Sequence, residues 1–267
     1  MKKIIVRLLI ALVVVVVLAV LAVSLFLDGA IKRGVETFGP RLTKVDIKLQ
    51  SVHLSLLSGS GTVKSLVVGN PEGYKTPSAI KVGTANLALK LGSLLSDKII
   101  IKSIYVQGPE ITYETDLRHN NLSKILANVQ ETPSDRQPAP AKPQEPAQPT
   151  AAKPSKKLEV DEFIITGGII HVNVNTLAGQ VAAVQVPDIS LPDIHLKDLG
   201  TGPEGITSAE LLKLVLAEIE KSVRQVTAPA MADISKGAVY LGKTSGNFTS
   251  NPVDTVTKGL GGFLKKK

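Results

Sequence analysis

The chain has 267 residues and no cysteine, which excludes disulfide bonds and thiolate metal sites. Hydrophobic residues make up 43% of it but aromatic residues only 3%, and such an aliphatic core favours strands over helices. Part of the net charge of +8 is concentrated at the two ends of the chain, and no basic stripe carries interleaved aromatic residues. Nucleic-acid binding is therefore not expected.

The strongest single signal is an apolar segment of twenty residues, Leu8–Leu27, in which only Ser24 is polar. At about 1.5 Å per residue, a helix of this length spans the roughly 30 Å hydrocarbon layer of a membrane. Basic residues precede the segment, so the positive-inside rule places the N-terminus in the cytoplasm and the rest outside. The alternative is a signal peptide cleaved near Ser24, but apolar residues continue beyond that site. We predict a single-pass anchor, with the following domain exported in either case.

Composition divides the remainder of the chain at a linker. Seven prolines lie among Ala, Gln and Lys between residues 131 and 157, without a large apolar side chain, which predicts a disordered linker or surface loop. The predicted segments are a cytoplasmic stub and transmembrane anchor (1–27), an N-terminal β region (28–130), the linker (131–157), C-terminal strands plus an amphipathic helix (158–228) and a flexible tail (229–267).

The N-terminal β region begins with a short helix, predicted over Asp28–Phe38 and ending at Gly39-Pro40. Alternating apolar residues then predict long antiparallel strands. In each strand the alternation of apolar residues slips by one residue near the middle. Every later side chain would then lie on the other face of the sheet, unless a β-bulge absorbs the extra residue. Matched bulges would curve the whole sheet; alternatively, each strand is two short strands joined at a bend. The fold predicted is mainly β, a curved antiparallel sheet or open groove with one continuous aliphatic face.

The function depends on what covers this aliphatic face, because an uncovered face could bind acyl chains. The candidate residues of such a lipid groove are Val45, Ile47, Leu49, Ile80, Val82, Leu87, Leu89, Ile99, Ile101, Ile111 and Tyr113.

One amphipathic helix is predicted near the C-terminal end. It begins at Thr207, because Thr207-Ser208-Ala209-Glu210 matches a capping box. Its apolar stripe either closes the core, forms a lid over a groove, or lies on a membrane surface. Before it, Pro187 and Pro192 interrupt an alternating segment and exclude a central strand, which predicts an edge strand or an extended segment. The stripe consists of Leu211, Leu212, Val215, Leu216, Ile219 and Val223.

Signals of catalysis are missing from the sequence. The four histidines lie far apart and outside any metal-ligand spacing, and there is no nucleophile elbow, P-loop or dinucleotide fingerprint. We therefore expect no enzymatic activity, cofactor or metal.

Several segments resemble the AsmA family in their order and spacing. They are Gly69-Asn70-Pro71-Glu72-Gly73-Tyr74, Gly108-Pro109-Glu110-Ile111-Thr112-Tyr113-Glu114, Asn120-Asn121-Leu122-Ser123 and Leu191-Pro192-Asp193-Ile194. The resemblance covers roughly residues 1–128 and, more loosely, 158–226.

The resemblance implies a single-pass protein of the bacterial inner membrane with a periplasmic β-groove, similar to chorein-type bridge-like lipid-transfer proteins. It implies phospholipid as the ligand and a role in phospholipid transport or envelope integrity, with envelope proteins or a second copy as further partners. About eight strands at roughly 4.8 Å each would give a groove only about 40 Å long, too short to bridge two membranes alone. In the alternative hypothesis the face is a filled core, and the protein is an anchored scaffold that recruits envelope proteins.

Overall fold

The computed structural model describes residues 2–132, 156–174 and 186–235. Most of the predicted linker and the predicted tail from residue 236 onward lie outside these ranges. The described chain is mainly β, with a curved, open half-barrel sheet and a C-terminal helix, which confirms these parts of the sequence-based fold class.

The strands form one sheet that joins the two halves of the chain. In chain order the helices are α1 (Lys2–Thr43), α2 (Asn121–Glu131) and α3 (Ser208–Ser235), with a 3-10 helix at Leu91–Leu95. The strands are β1 (Ile47–Ser55), β2 (Ser60–Val68), β3 (Ile80–Leu89), β4 (Lys98–Gln107), β5 (Glu110–Thr115), β6 (Lys157–Thr166), β7 (Ile169–Val174), β8 (Ile189–Ser190) and β9 (Ile194–Leu199).

The nine strands occupy six positions across the sheet. β1, β2 and β3 form an antiparallel meander, and β4 and β5 follow one another along the other side of β3. β6 and β7 continue this arrangement beside β4 and β5, and β9 and β8 form the outer edge. At about 4.8 Å per strand, six positions span roughly 25–30 Å, less than the sequence-based estimate. The prediction of an edge strand around Pro187 and Pro192 is confirmed.

The sheet is mixed rather than purely antiparallel, which corrects the sequence-based prediction. β4 pairs with β6 and β5 pairs with β7 in parallel, while the other described pairings are antiparallel. The chain passes from β5 to β6 through α2 and the residues after it. A connection of this length permits parallel pairing of the next strand, whereas a hairpin would make it antiparallel.

The slip in the strand period has two structural forms. In the second half of the sheet each long strand is divided at a bend, at Gly108-Pro109, at Gly167-Gly168 and at Leu191-Pro192-Asp193. Gly108 and Gly167 have φ values of 58° and 64°, a conformation that glycine adopts without steric cost. In β1, β2 and β3 the strand continues, and the register between neighbours is constant through the slip. A register shift occurs between Ala88 and Leu89. The alternative prediction, that each strand is two short strands joined at a bend, is therefore confirmed for the half of the sheet formed by β4 to β9.

α1 runs without interruption through Gly39 and Pro40 to Thr43. The prediction of a separate short helix that ends at Gly39-Pro40 is wrong, because Gly39 here permits close packing instead of ending the helix. A Cβ at Gly39 would lie 2.7 Å from Ile47 Cδ1. The Lys44 N–H donates to the Pro40 carbonyl at 2.9 Å, so the carbonyl of the proline itself has a partner at the C-terminal end of the helix.

The described apolar side chains in the first part of α1 are exposed, as at Leu9, Leu12 and Leu18. Among the described residues there is no helix with the length and apolar character of a membrane span. The anchor at Leu8–Leu27 stays a prediction.

α3 begins as the capping box predicts. The Thr207 N–H donates to Glu210 Oε2 at 2.7 Å, and the Glu210 N–H donates to Thr207 Oγ1 at 3.1 Å. The helix continues past Pro229 to Ser235, so the predicted flexible tail begins too early at 229. In α3 the apolar stripe packs against the core that spans both halves of the sheet.

The helix α2 was not predicted from the sequence. Asn120 caps it, because its Oδ1 accepts the Ser123 N–H at 2.8 Å. Leu122, Ile125 and Val129 then recur at helical spacing and are all buried. The same signals are visible in the sequence, but the helix is short and lies directly beside the proline-rich segment.

Candidate functional site

The aliphatic face of the sheet is the candidate site, and the structure brings its predicted residues together in two adjoining clusters. Val45, Ile47, Ile80, Val82, Ile101, Ile111 and Tyr113 belong to the larger cluster, and Leu49, Leu87 and Leu89 to the smaller one. Ile99 is half-buried and lies in neither.

Helix coverage divides these residues into two groups. Val45, Leu49, Ile80, Val82, Ile111 and Tyr113 are buried, so they are part of a packed core. The other predicted residues are half-buried: Ile47, Leu87, Leu89, Ile99 and Ile101.

α1 forms one side wall, along the edge of β1. The Leu49 N–H donates to Glu36 Oε1 at 3.0 Å, and the Leu54 N–H donates to Asp28 Oδ1 at 2.8 Å. Lys32 Nζ donates to the carbonyl oxygen of Leu49. These groups of α1 occupy the outward-facing hydrogen-bonding positions of an edge strand, which blocks strand addition at that edge.

The same contacts shift the ionisation of Glu36. The ammonium of Lys32 and the Leu49 N–H both donate to its carboxylate, which lowers the pKa of Glu36 below its usual value. Since these donors favour the charged form, Glu36 stays ionised at neutral pH while it holds the strand edge.

α2 closes one end of the face, where it contacts α1, α3 and β5. Its first residue, Asn121, is fully buried. The Asn121 side chain accepts the Glu114 N–H at 3.0 Å and donates to the carbonyl oxygen of Thr112 at 2.7 Å and to Asn70 Oδ1 at 2.8 Å. Asn121 therefore ties α2 to the sheet and to the loop after β2.

The buried carboxylate of Glu114 extends this network. It accepts hydrogen bonds from the backbone N–H groups of Lys75 and Thr76 at 2.7 and 2.8 Å. Burial without such donors would be unfavourable for a carboxylate. These hydrogen bonds therefore hold the loop over 69–79 against Glu114 of β5.

α3 forms the other side wall, against β6 and β9. Leu216, Ile219 and Val223 are buried, and the remaining stripe residues, Leu211, Leu212 and Val215, are half-buried against the same core. The stripe therefore packs on the core, as the first of its three interpretations predicts. Near this helix, burial and the Glu220 carboxylate raise the pKa of Tyr113, so its hydroxyl is neutral at physiological pH.

Between the two walls lies an open apolar floor, formed by half-buried side chains of β2, β3 and β4. We call these six side chains the floor residues; they are Val63, Leu87, Leu89, Ile99, Ile101 and Ile104. Val63 and Ile104 were missed as candidates in the sequence analysis, although they fit the same strand alternation. Purely apolar side chains that are open to solvent can bind an aliphatic chain without a specific polar group.

α2 does not extend over the end of the floor that lies near the turn between β1 and β2, and we call this end the open end. There Leu87 and Leu89 pack against the buried residues Val52 and Leu54. Asp28 binds Leu54 there, close to the turn between β1 and β2, so the apolar segment of α1 leaves the sheet at the same end. We call the space above the floor residues, between α1 and α3, the trough; an acyl chain that entered it from that end would pass beside α1.

A separate cavity of about 440 Å³ lies at the other end of β1. Its lining includes Lys44, Asp46, Glu72 and Tyr74, so it is polar and does not suit an aliphatic ligand. Among the described residues no cluster of His, Asp and Glu could hold a metal ion.

No protein-family model, no curated protein and no solved structure matches this chain. The resemblance to the AsmA family stays a prediction.

Proposed function

We propose that this protein is anchored in the bacterial inner membrane by Leu8–Leu27 and holds phospholipid acyl chains on the floor residues, on the periplasmic side. Its role is then phospholipid transport or maintenance of the envelope. The observation that carries the proposal is the row of half-buried aliphatic side chains between α1 and α3, open at the end where α1 leaves the sheet. The N-terminus is cytoplasmic in this proposal.

The chemistry of the floor fits acyl chains better than a polar ligand. Removal of apolar surface from water stabilises a complex by about 25 cal/mol per Å², without requiring hydrogen-bond partners. The phospholipid headgroup would remain in water at the open end. The trough extends over part of the sheet only, because α2 and the buried residues fill the rest.

The trough is short for a bridge between two membranes. Six strand positions span roughly 25–30 Å, and the α1 contacts block the β1 edge against addition of a further strand. The proposal is therefore a carrier or acceptor of single lipids at the inner membrane, not a continuous conduit.

A specific observation favours a second function. Because Val45, Ile80, Ile111 and Tyr113 are buried beneath the helices, the face is already a filled core at its α2 end. If the floor is equally closed in solution, the protein is a non-enzymatic envelope scaffold whose outer surface recruits protein partners.

Photocrosslinking in the full-length chain separates the two functions. Ile101 lies on the floor and the neighbouring Lys102 is exposed, so the pair is a matched probe and control on one strand. We expect Ile101→p-benzoylphenylalanine to crosslink phospholipid in intact membranes, and Lys102→p-benzoylphenylalanine to crosslink little, with both adducts measured by mass spectrometry. Equal, low lipid adducts at the two positions would reject the lipid-binding function.

A charge in the trough supplies an independent test. Leu89→Glu should retain the fold and lose the bound lipid if the floor is open, because a half-buried carboxylate can still reach water there. A global loss of structure, measured by circular dichroism, would contradict an open floor at this position and favour the scaffold.

A further inference from the structure

Three leucines protrude from the loops at the open end of the trough. Leu57, in the turn between β1 and β2, is 83% exposed; Leu95 and Leu91, at the two ends of the 3-10 helix, are 96% and 37% exposed. We call Leu57, Leu91 and Leu95 the anchor-side leucines. Aliphatic side chains this exposed at neighbouring loop tips indicate a surface that meets an apolar partner.

The two loops are in contact, so the anchor-side leucines share one end of the sheet. The Leu89 N–H, just before the 3-10 helix, donates to the Gly59 carbonyl at 2.6 Å. A Cβ at Gly59 would lie 3.2 Å from Leu91 Cγ, which places the turn after β1 directly against this helix.

The apolar segment of α1 leaves the sheet at the same end. α1 is antiparallel to β1, because Glu36 binds Leu49 while Asp28, two turns earlier, binds Leu54 near the end of the strand. Residues before Asp28 therefore continue past the turn that carries Leu57. A membrane that held Leu8–Leu27 would lie on the side to which the anchor-side leucines point.

Several backbone groups of the 3-10 helix and its flanking residues are hydrogen-bonded. The Lys90 carbonyl accepts the Ser93 N–H at 2.9 Å, and the Ser93 carbonyl accepts the Ser96 N–H at 3.1 Å. Lys156 Nζ donates to the Leu94 carbonyl at 2.5 Å. Paired backbone groups lower the unfavourable free energy of moving a loop into an apolar medium.

Exposed lysines flank the leucines. Lys90 precedes the 3-10 helix and Lys156 lies beside it, and both side chains are exposed, with the acidic Asp97 after the helix. Basic residues around apolar loop tips are suited to the anionic headgroup layer, into whose boundary the apolar side chains can reach.

We infer that the anchor-side leucines insert into the outer boundary of the bilayer that holds α1, and so fix the open end of the trough at the membrane surface. The inference rests on the membrane anchoring in the proposed function, but not on lipid binding by the floor. The partner is the lipid bilayer itself, through its acyl chains below the headgroups. Membrane contact at this end would also shorten the path of a lipid from the bilayer to the floor residues.

The absence of tryptophan from the chain makes a direct test available. The full-length protein is reconstituted in vesicles with anionic lipid, with or without phospholipid brominated on the acyl chains, and one tryptophan is introduced at a time. Leu95→Trp and Leu57→Trp report on two separate loops, so a folding defect in one variant leaves the other informative. Leu117→Trp is the matched control, because Leu117 is an exposed leucine, 40% accessible, in the loop after β5 at the opposite end.

We expect Leu95→Trp and Leu57→Trp to lose more than half of their emission in brominated vesicles and to shift to shorter wavelength, while Leu117→Trp changes little. Vesicle-bound protein whose Leu95→Trp and Leu57→Trp emission matches that of the control would overturn the inference and leave the anchor intact. Protein that does not float with the vesicles would overturn both the anchoring and the inference.

Discussion

The Asp28 carboxylate joins the end of the apolar segment to the sheet, because Asp28 Oδ1 accepts the Leu54 N–H at 2.8 Å. Its other oxygen lies 3.2 Å from His53 Nδ1. This side chain thus satisfies a donor on the edge of β1 at the point where α1 leaves the sheet. Together with the Glu36 and Lys32 contacts it holds α1 antiparallel to β1.

Asp28→Ala should loosen this junction. A backbone donor that loses a charged acceptor destabilises a protein by about 1.5–3 kcal/mol, and here the loss falls on the edge of β1. We expect faster amide hydrogen exchange at Leu54 and a lower free energy of unfolding in urea. Asp46→Ala removes an exposed carboxylate just before the same strand and is the control. Equal exchange rates in the two variants would contradict the role of Asp28.

Asn121→Ala should be more damaging. The substitution leaves the Glu114 N–H and the Thr112 carbonyl without the partner they have in the buried network. Unsatisfied buried groups of this kind destabilise a protein by about 2–4 kcal/mol in total. Urea denaturation measures the effect, with Lys124→Ala on the exposed side of α2 as control. Similar unfolding free energies for both variants would show that the network is dispensable.

Ile219→Ala tests whether α3 is a fixed part of the core or a mobile lid. Ile219 is 7% exposed and belongs to the main core, whereas Leu214 on the same helix is 44% exposed. A buried isoleucine truncated to alanine destabilises a fold by about 2–5 kcal/mol. We expect a loss in that range for Ile219→Ala and a much smaller one for Leu214→Ala in urea denaturation. A lid that opens independently would give small losses in both variants.

Asp116 should stabilise the protein at neutral pH and lose this contribution in strong acid. The His119 and Arg118 N–H groups donate to its carboxylate and lower its pKa from 3.8 to about 2. A carboxyl group whose pKa is lowered by folding stabilises the protein above its unfolded pKa, and this contribution is lost as the pH falls from 3.8 through about 2. The unfolding free energies of the wild type and Asp116→Asn should therefore converge over that window. Curves that remain parallel throughout the window would contradict this assignment.

Some features of the fold could be predicted because they depend on neighbours in the sequence. The alternation along β1 and β3 is local, and so is the capping box at Thr207 and Glu210. The structure contains both of the reciprocal hydrogen bonds that this motif predicts. The helix α2 was missed although its cap and apolar spacing are also local, because a short helix beside a proline-rich segment gives a weak pattern.

The candidate site was predicted only in part. Strand alternation identifies Leu89 and Ile101 as residues of the aliphatic face, but it does not distinguish them from Ile80 and Ile111. That difference arises because α2 lies over one end of the face and not over the other.

The sequence by itself determined the mainly β character, the amphipathic α3 and the aliphatic nature of one sheet face, because residue spacing and caps encode them locally. Only the tertiary structure decided that β4 and β6 pair in parallel, that α1 blocks the β1 edge, and which part of the face stays open. These features depend on contacts between residues far apart in the chain, such as Asn121 with Asn70, and local pattern carries no information about such partners.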